Sequence, residues 1–264
     1  MRILLAGAAL AMAVSAPLVV AADEAAKVLE CMQANVPTSL RVQEVEFSTS
    51  DRSGTASTLK GRLYAERELA PDGSRLVRAM LLLSAPPNLS GAAYLIREKD
   101  GDLRDGMYVY LPSVKRVRRV TGSIADGGLM GTSFSYADFK QLQNTFGGAR
   151  TTYEGGGEID KRPTHVLAFR PADTTKGGYT LVRTWVDTQT CVPLKAEFHE
   201  GKDVRKRLVS PIATLKQVDA YWYASVIEMH DLKQDLHTTL RVFAVKPGGD
   251  ISGGFFDPKT FYQR

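Results

Sequence analysis

The sequence predicts a mainly β (α+β) protein whose large, curved antiparallel sheet forms a closed or half-open barrel with short helices across its mouth. From residue 40 onward, apolar and polar residues alternate and turn residues recur at short intervals, which is typical of an antiparallel meander. A Gly-rich segment at residues 124–134 divides this pattern into two blocks. About a dozen strands are too many for a flat sheet, so we expect the sheet to curl.

Composition supports one ordinary globular domain. The chain has 264 residues, of which 44% are hydrophobic and 24% charged, and these values exclude disordered, collagen-like and coiled-coil proteins. A formal net charge of +5 is a mild bias, so no nucleic-acid partner is expected. The sequence predicts a signal peptide at residues 1–22 and a single domain at residues 23–264.

The first 22 residues have the layout of a secretory signal peptide. Arg2 precedes an apolar run at residues 3–20, and small residues at Ala21 and Ala22 suit the signal peptidase. We therefore expect cleavage after Ala21 or Ala22 and a mature chain outside the cytoplasm. The alternative is an uncleaved membrane anchor, because the apolar run is just long enough to span a bilayer.

Two cysteines, Cys31 and Cys191, are the only ones in the chain. In an oxidising compartment they can form a disulfide between an N-terminal helix and a strand turn. Two buried thiols are the alternative, and the spacing does not decide between them.

Two helices are predicted. Residues 23–34 carry apolar residues at helical spacing and end before Pro37, with Asp23 available as the N-cap. A second helix is expected to begin at Ser135, because Ser135 and Asp138 have the spacing of a capping box.

Strands are predicted wherever apolar residues alternate between turn signals. The glycines at 155–157 are interpreted as a turn. The predicted strands are residues 45–48, 59–69, 76–84, 92–98, 107–111, 151–154, 165–170, 179–186, 194–199, 206–208, 214–220, 222–230 and 239–245.

No pattern in the sequence indicates catalysis. The chain lacks the Gly-x-Ser-x-Gly motif of a nucleophile elbow, and its four histidines lack the spacing that puts two ligands on one helical face. Residues 100–106 resemble the start of a calcium loop but lack its terminal Glu. The sequence therefore predicts no enzyme, no cofactor and no metal.

A basic hairpin follows the aromatic strand at residues 107–111. It carries four cations in five residues, Lys115, Arg116, Arg118 and Arg119. One interpretation is a charged edge strand that prevents aggregation between sheets. The other is contact with anionic lipid headgroups or with an acidic protein partner.

With these residues in view, the chain resembles the LolA-like, outer-membrane lipoprotein-sorting protein superfamily, in particular the branch associated with RND-type exporters. Residues 110–119, 130–139 and the hairpin at 185–198 carry the resemblance. The chain departs from the branch at two positions, because Ser133 stands where an acidic residue is usual and Ala137 where a Glu is usual.

The resemblance implies a half-open LolA/LolB-like barrel with a helical lid that shelters acyl chains in the periplasm. The cargo would be a lipoprotein or another lipid, and the partners an RND-type inner-membrane exporter or an outer-membrane acceptor. The alternatives are an interaction module that docks on an exporter through the basic hairpin and, more weakly, a hydrolase of lipid-linked substrates. The candidate lipid-binding residues are Tyr108, Tyr110, Trp185, Trp222 and four residues of a Gly-flanked segment expected to act as a lid, Leu129, Met130, Phe134 and Phe139.

Overall fold

The computed structural model describes residues 16–98, 106–121, 127–136, 138, 149–171, 178–248 and 254–263. Within them, helix α1 (Ala16–Ala34) precedes a long series of strands. The strands are β1 (Arg41–Ser50), β2 (Ala56–Leu69), β3 (Arg75–Ala85), β4 (Ala93–Arg97), β5 (Gly106–Leu111), β6 (Arg116–Arg119), β7 (Ala149–Ile159), β8 (Arg162–Pro171), β9 (Leu181–Asp187), β10 (Pro193–Glu200), β11 (Asp203–Val209), β12 (Leu215–Val218), β13 (Tyr221–Ala224), β14 (Val226–Asp231) and β15 (Leu236–Pro247).

Thirteen of these strands form one antiparallel sheet, in the order β6-β5-β4-β3-β2-β1-β15-β14-β11-β10-β9-β8-β7. The sheet is curved but not closed, and β6 and β7 are its two edges among the described strands. The predicted fold class, a mainly β half-open barrel, is confirmed. The remaining strands, β12 and β13, pair only with each other and form a separate hairpin at residues 215–224, which we call the lid hairpin.

The two faces of the sheet pack against different parts of the chain because side chains alternate along each strand. On β4, Tyr94 and Ile96 join the core that α1 covers, which we call the inner face. Leu95, between them, points to the outer face and packs with Phe255 and Phe261 of the C-terminal segment.

Helix α1 confirms the predicted end before Pro37 but not the predicted start. The helix begins at Ala16, so Asp23 lies inside it and pairs with Lys27 at 2.6 Å instead of capping its first turn. The residues before Asp23 are mostly Ala, Val and Leu, and nothing in them stops the helix from continuing. Residues 1–15 lie outside the described residues, so cleavage of a leader stays a prediction. No described helix is long and apolar enough to cross a membrane.

Cys31 and Cys191 form a disulfide, so of the two interpretations left open by the sequence the bonded one holds. It joins α1 to the turn between β9 and β10, with a Cα–Cα distance of 5.7 Å. Beside it, Asn35 Nδ2 donates to the carbonyl of Thr190 at 2.7 Å. The end of the helix is therefore fixed to the sheet by a covalent bond and a hydrogen bond.

The predicted turn at residues 155–157 is wrong, since these glycines lie inside β7. β7 pairs with β8 along its whole length, with a register shift between Tyr153 and Gly155. Gly155 has φ +110°, which a bulge tolerates in glycine. At Gly157 a Cβ would lie 3.2 Å from the Trp185 ring, so glycine also allows close packing there.

The predicted strand at residues 222–230 is divided at Ser225. The backbone N–H of Ser225 donates to the carbonyl of Thr214 at 2.9 Å, and its hydroxyl donates to the same oxygen at 2.8 Å. These bonds close the base of the lid hairpin. The chain therefore leaves the sheet after β11 and returns to it at β14.

Candidate apolar cavity

A cavity of about 150 Å³ lies between the inner face, the C-terminal end of α1 and the lid hairpin. The inner face contributes Leu63, Phe198, Leu208 and Leu240, and the lid hairpin contributes Trp222 and Tyr223. Its few polar neighbours include Gln43, Asp138, Thr184 and Ser210. A mainly apolar wall with few polar groups suits an apolar ligand.

The strand alternation of β2 and β10 explains why this part of the interior is not filled. Ala65 on β2 and Ala196 on β10 both point inward and both line the cavity. Elsewhere on the inner face large side chains fill the space, such as Phe47, which packs edge-on against Phe134 with ring centroids 6.0 Å apart. Small residues at facing positions leave space where large residues would interdigitate.

The lid hairpin is attached to the rest of the molecule by a few polar contacts. Asn35 Oδ1 accepts from the backbone N–H of Trp222 at 2.9 Å. Arg41 and Asp219 form an ion pair at 2.6 Å, and Asp219 is largely exposed. Exposed ion pairs contribute about 0–1 kcal/mol, so this ion pair adds little to the attachment of the lid hairpin. Tyr223 of the hairpin also packs against the inner core.

A buried ion pair lies at the other side of the cavity. Lys206 Nζ lies 2.8 Å from Asp138 Oδ2 and donates to the carbonyl of Ser133 at 2.8 Å, with Asp231 at 3.8 Å. Burial, together with the nearby Asp138 carboxylate, raises the pKa of Tyr179 far above its ordinary value. These contacts hold the segment that contains Ser133 and Asp138 firmly against β11.

The capping box at Ser135 is confirmed. The Ser135 N–H donates to Asp138 Oδ2 at 2.7 Å, and the Asp138 N–H donates to Ser135 Oγ at 3.1 Å. The rest of the predicted second helix, including Phe139, lies outside the described residues.

Of the predicted lipid-binding residues, Trp222 lines the cavity. Leu129 and Phe134 are fully buried in the inner core, and Met130 packs against that core with φ +50°. The segment that carries them was predicted to be a lid, but here it is part of the core. Any contact of these residues with a lipid stays a prediction.

Tyr108, Tyr110 and Trp185 lie on the outer face, which corrects the prediction that they line the cavity. Tyr110 stacks on Tyr262 at 3.8 Å, and Trp185 packs under Lys195 at 4.4 Å. The side chains of a strand alternate between two faces of the sheet, and the register of the strand decides which of them point to the interior. Here Val109 points inward, so both tyrosines beside it point outward.

The cavity residues that sequence reasoning missed come from strands far apart in the chain. Leu63, Phe198 and Leu240 belong to β2, β10 and β15, and only the sheet order brings them together. The sequence feature that could have indicated the cavity was a small residue at an inward position of two apolar strands, namely Ala65 on β2 and Ala196 on β10.

The four cations of the basic hairpin lie at the edge strand β6 and before it, which fits the edge-strand interpretation. All four are exposed, and none forms an ion pair with any residue that the structure describes. Arg119 lies over the Tyr108 ring at 5.8 Å. Binding of headgroups or of a partner by Lys115, Arg116, Arg118 and Arg119 stays a prediction.

Comparison with solved structures identifies the fold. A DUF1329 family protein from Desulfovibrio piger has a TM-score of 0.78 at 19% identity, covering 89% of this chain and 96% of its own. A domain from Vibrio parahaemolyticus assigned to outer membrane lipoprotein sorting has a TM-score of 0.78 at 23% identity, with 92% and 100% covered. A LolA superfamily protein from Nitrosomonas europaea has a TM-score of 0.67 at 18% identity, with 88% and 96% covered.

Sequence comparison assigns the chain to a family. A search of the curated proteins finds no match. A family model described as "Uncharacterized protein"-like matches residues 76–263, well over half of the chain. The chain therefore belongs to this "Uncharacterized protein"-like family, and its fold is that of the DUF1329 and LolA superfamily proteins.

Proposed function

We propose that this protein is a non-enzymatic, extracytoplasmic carrier that shelters the acyl chains of a lipoprotein or of another lipid cargo. The observation that carries the proposal is the apolar cavity on the inner face of the half-barrel, closed on one side by a hairpin that is not part of the main sheet. Keeping a chain of about sixteen carbons out of water is worth roughly 13 kcal/mol, at about 0.8 kcal/mol per methylene. A dry apolar wall is sufficient for this task.

The size of the cavity indicates how the cargo enters. A cavity of about 150 Å³ is comparable to an engineered one that accepts benzene, so it takes only part of a long acyl chain. A whole chain needs one wall to move outward. The lid hairpin is the proposed moving wall, because Leu129, Phe134 and the Lys206–Asp138 pair fix the opposite side.

Two further observations support the location and the cargo class. A disulfide such as Cys31–Cys191 persists in oxidising compartments, in agreement with export to the periplasm. The Vibrio parahaemolyticus domain of the same fold is assigned to lipoprotein sorting. We extend that cargo class to this chain as part of the proposal.

The proposed docking element is the basic hairpin. Its exposed cations, which form no ion pair within the described part of the chain, suit anionic headgroups beside an RND-type inner-membrane exporter or an outer-membrane acceptor. This element also supports a second candidate function, a module that docks on an exporter through Arg116, Arg118 and Arg119 and carries no cargo.

Native mass spectrometry of the purified chain, before and after delipidation, separates the two functions. The carrier is expected to retain lipid that delipidation removes and that added fatty acid replaces, whereas a docking module retains none. Ala196→Leu, which fills the cavity, is expected to abolish binding of a fluorescent fatty acid while the thermal unfolding temperature stays near that of the wild type. Ala56→Leu, at an exposed position on β2, is the matched control. Equal binding by Ala196→Leu and the wild type would place the cargo elsewhere.

A further inference from the structure

A pair of histidines and a carboxylate meet at the tip of the β14–β15 hairpin. His230 and His237 are direct cross-strand partners, and their rings stack with centroids 3.6 Å apart. Asp235, in the turn between them, places Oδ1 at 3.4 Å from His230 Nε2 and at 3.9 Å from His237 Nε2. The three potential ligand atoms all lie within 4.8 Å of one another.

The two separations between the carboxylate oxygen and the imidazole nitrogens are close to those of ligands on one metal ion. With bonds of about 2.0–2.1 Å, two ligands of a tetrahedral zinc ion lie about 3.4 Å apart. An ion lies near the plane of each imidazole that binds it, whereas stacked rings hold their planes apart. Binding therefore requires one ring to turn about χ2, a soft torsion, and His237 is the more exposed of the two rings, with 56% of its side chain accessible against 30% for His230.

Arg52 fixes the carboxylate in a useful orientation. Its Nε donates to Asp235 Oδ2 at 2.9 Å, so the other oxygen, Oδ1, is left facing the two imidazoles. Hydrogen bonds to the outer atom of a ligating carboxylate are a regular feature of metal sites. The cluster thus contains the three potential metal ligands and also Arg52, which orients the Asp235 carboxylate.

We propose that His230, Asp235 and His237 form a surface site for a late first-row divalent cation, of the zinc, nickel or copper class. Two imidazoles and one carboxylate suit these metals rather than magnesium or calcium, which prefer all-oxygen sets. Three protein ligands at an exposed position leave the remaining coordination positions to solvent or to a partner's side chain.

The site is separate from the cavity. The neighbouring residues on the two strands, Met229 and Thr238, are buried on the inner side, where Thr238 Oγ1 accepts from the Ser133 N–H. Because side chains alternate along a strand, His230 and His237 project from the opposite face. Metal binding therefore does not depend on the proposed carrier function.

Isothermal titration calorimetry of the untagged full chain tests the proposal. We expect one equivalent of zinc to bind saturably, and magnesium and calcium not to compete. His230→Gln and His237→Gln are each expected to lower zinc affinity by at least about tenfold, as the loss of ligand-shell residues does elsewhere. His165→Gln is the matched control, because it removes an imidazole that contacts Tyr153 and that pairs with no carboxylate among the described residues.

A second readout covers the case in which a variant is less stable. Zinc is expected to raise the thermal unfolding temperature of the wild type and of His165→Gln, but not that of His237→Gln. The absence of stoichiometric zinc binding, or binding that His237→Gln leaves unchanged, would overturn the proposal.

Discussion

Lys206 and Asp138 form a buried ion pair, with Nζ 2.8 Å from Oδ2 and at most 2% of either side chain exposed. The pair connects the segment after the Gly-rich stretch to strand β11, 68 residues further along the chain. A buried lysine is tolerated only when its charge is paired, and here a carbonyl and a second carboxylate complete its surroundings.

Replacing Lys206 is expected to destabilise the protein strongly. Lys206→Met leaves the Asp138 charge buried without its partner, which typically costs about 3–5 kcal/mol of unfolding free energy. Urea denaturation followed by circular dichroism measures this change. Lys27→Met, which breaks an exposed pair on α1, is expected to cost less than about 1 kcal/mol. Equal losses in the two variants would show that the buried pair has no special role.

Acid is expected to weaken the fold partly through Asp187. Burial raises the pKa of Asp187, but hydrogen bonds from Arg162 and Thr190 outweigh it and hold the pKa below its ordinary value of 3.8. A lowered folded-state pKa gives stability that is complete above the unfolded-state pKa and is lost as the pH falls through the folded-state value.

The stability of the wild type is therefore expected to fall below about pH 4, and that of Asp187→Asn to fall less steeply there. Urea midpoints measured at a series of pH values give the two slopes. Asp203→Asn, at an exposed site, is the control. If the urea midpoint of Asp187→Asn fell with pH as steeply as that of the wild type, Asp187 would not contribute to the acid sensitivity.

Loosening the lid hairpin is expected to speed its opening. Asn35→Ala removes the acceptor of the Trp222 N–H and the donor to Thr190, so residues 215–224 lose an anchor on α1. Hydrogen–deuterium exchange should be faster in this segment and unchanged in β2 and β3. Asn88→Ala, at an exposed turn, is the control. Equal exchange in both variants would mean that other contacts hold the lid hairpin.

Neutralising the basic hairpin is expected to weaken attachment to anionic membranes without affecting cargo capture. Arg116→Gln combined with Arg118→Gln removes two surface cations, worth about 2 kcal/mol or roughly thirtyfold in vesicle affinity. Sedimentation with phosphatidylglycerol vesicles measures the change. Lys161→Gln combined with Lys202→Gln, which removes two exposed cations from other turns, is the charge-matched control. If vesicle binding is undetectable in the wild type, the hairpin has an acidic protein partner or only protects the edge.

The periodic part of the sequence predicted the fold well, because each strand carries its own signal. The helix end before Pro37 and the capping box at Ser135 were also accessible, since each rests on local chemistry. The Cys31–Cys191 bond was one of two open interpretations, because a single pair of cysteines does not distinguish a disulfide from two buried thiols. The capping box is satisfied in both directions by backbone and side-chain bonds.

The candidate sites were less accessible because they depend on register and on strand order. Tyr110 and Trp185 were predicted to be cavity residues, but they lie on the outer face. Successive side chains on a strand point to opposite faces, so a shift of one residue decides which face a side chain occupies. His230 and His237 lack helical ligand spacing, yet the hairpin register sets them side by side. Spacing rules written for helices miss such cross-strand pairs.

The pairing of β1 with β15 has a consequence for folding during synthesis. These strands lie side by side in the middle of the sheet, with Arg41 opposite Pro247. The centre of the sheet therefore cannot form until β15 has been synthesised. Contacts between residues so distant in the chain form slowly, because a large loop has to close first. In a chain truncated before β15, β1 and β14 would each have one edge with unpaired backbone groups. Such edges can pair with strands of other molecules, which leads to aggregation.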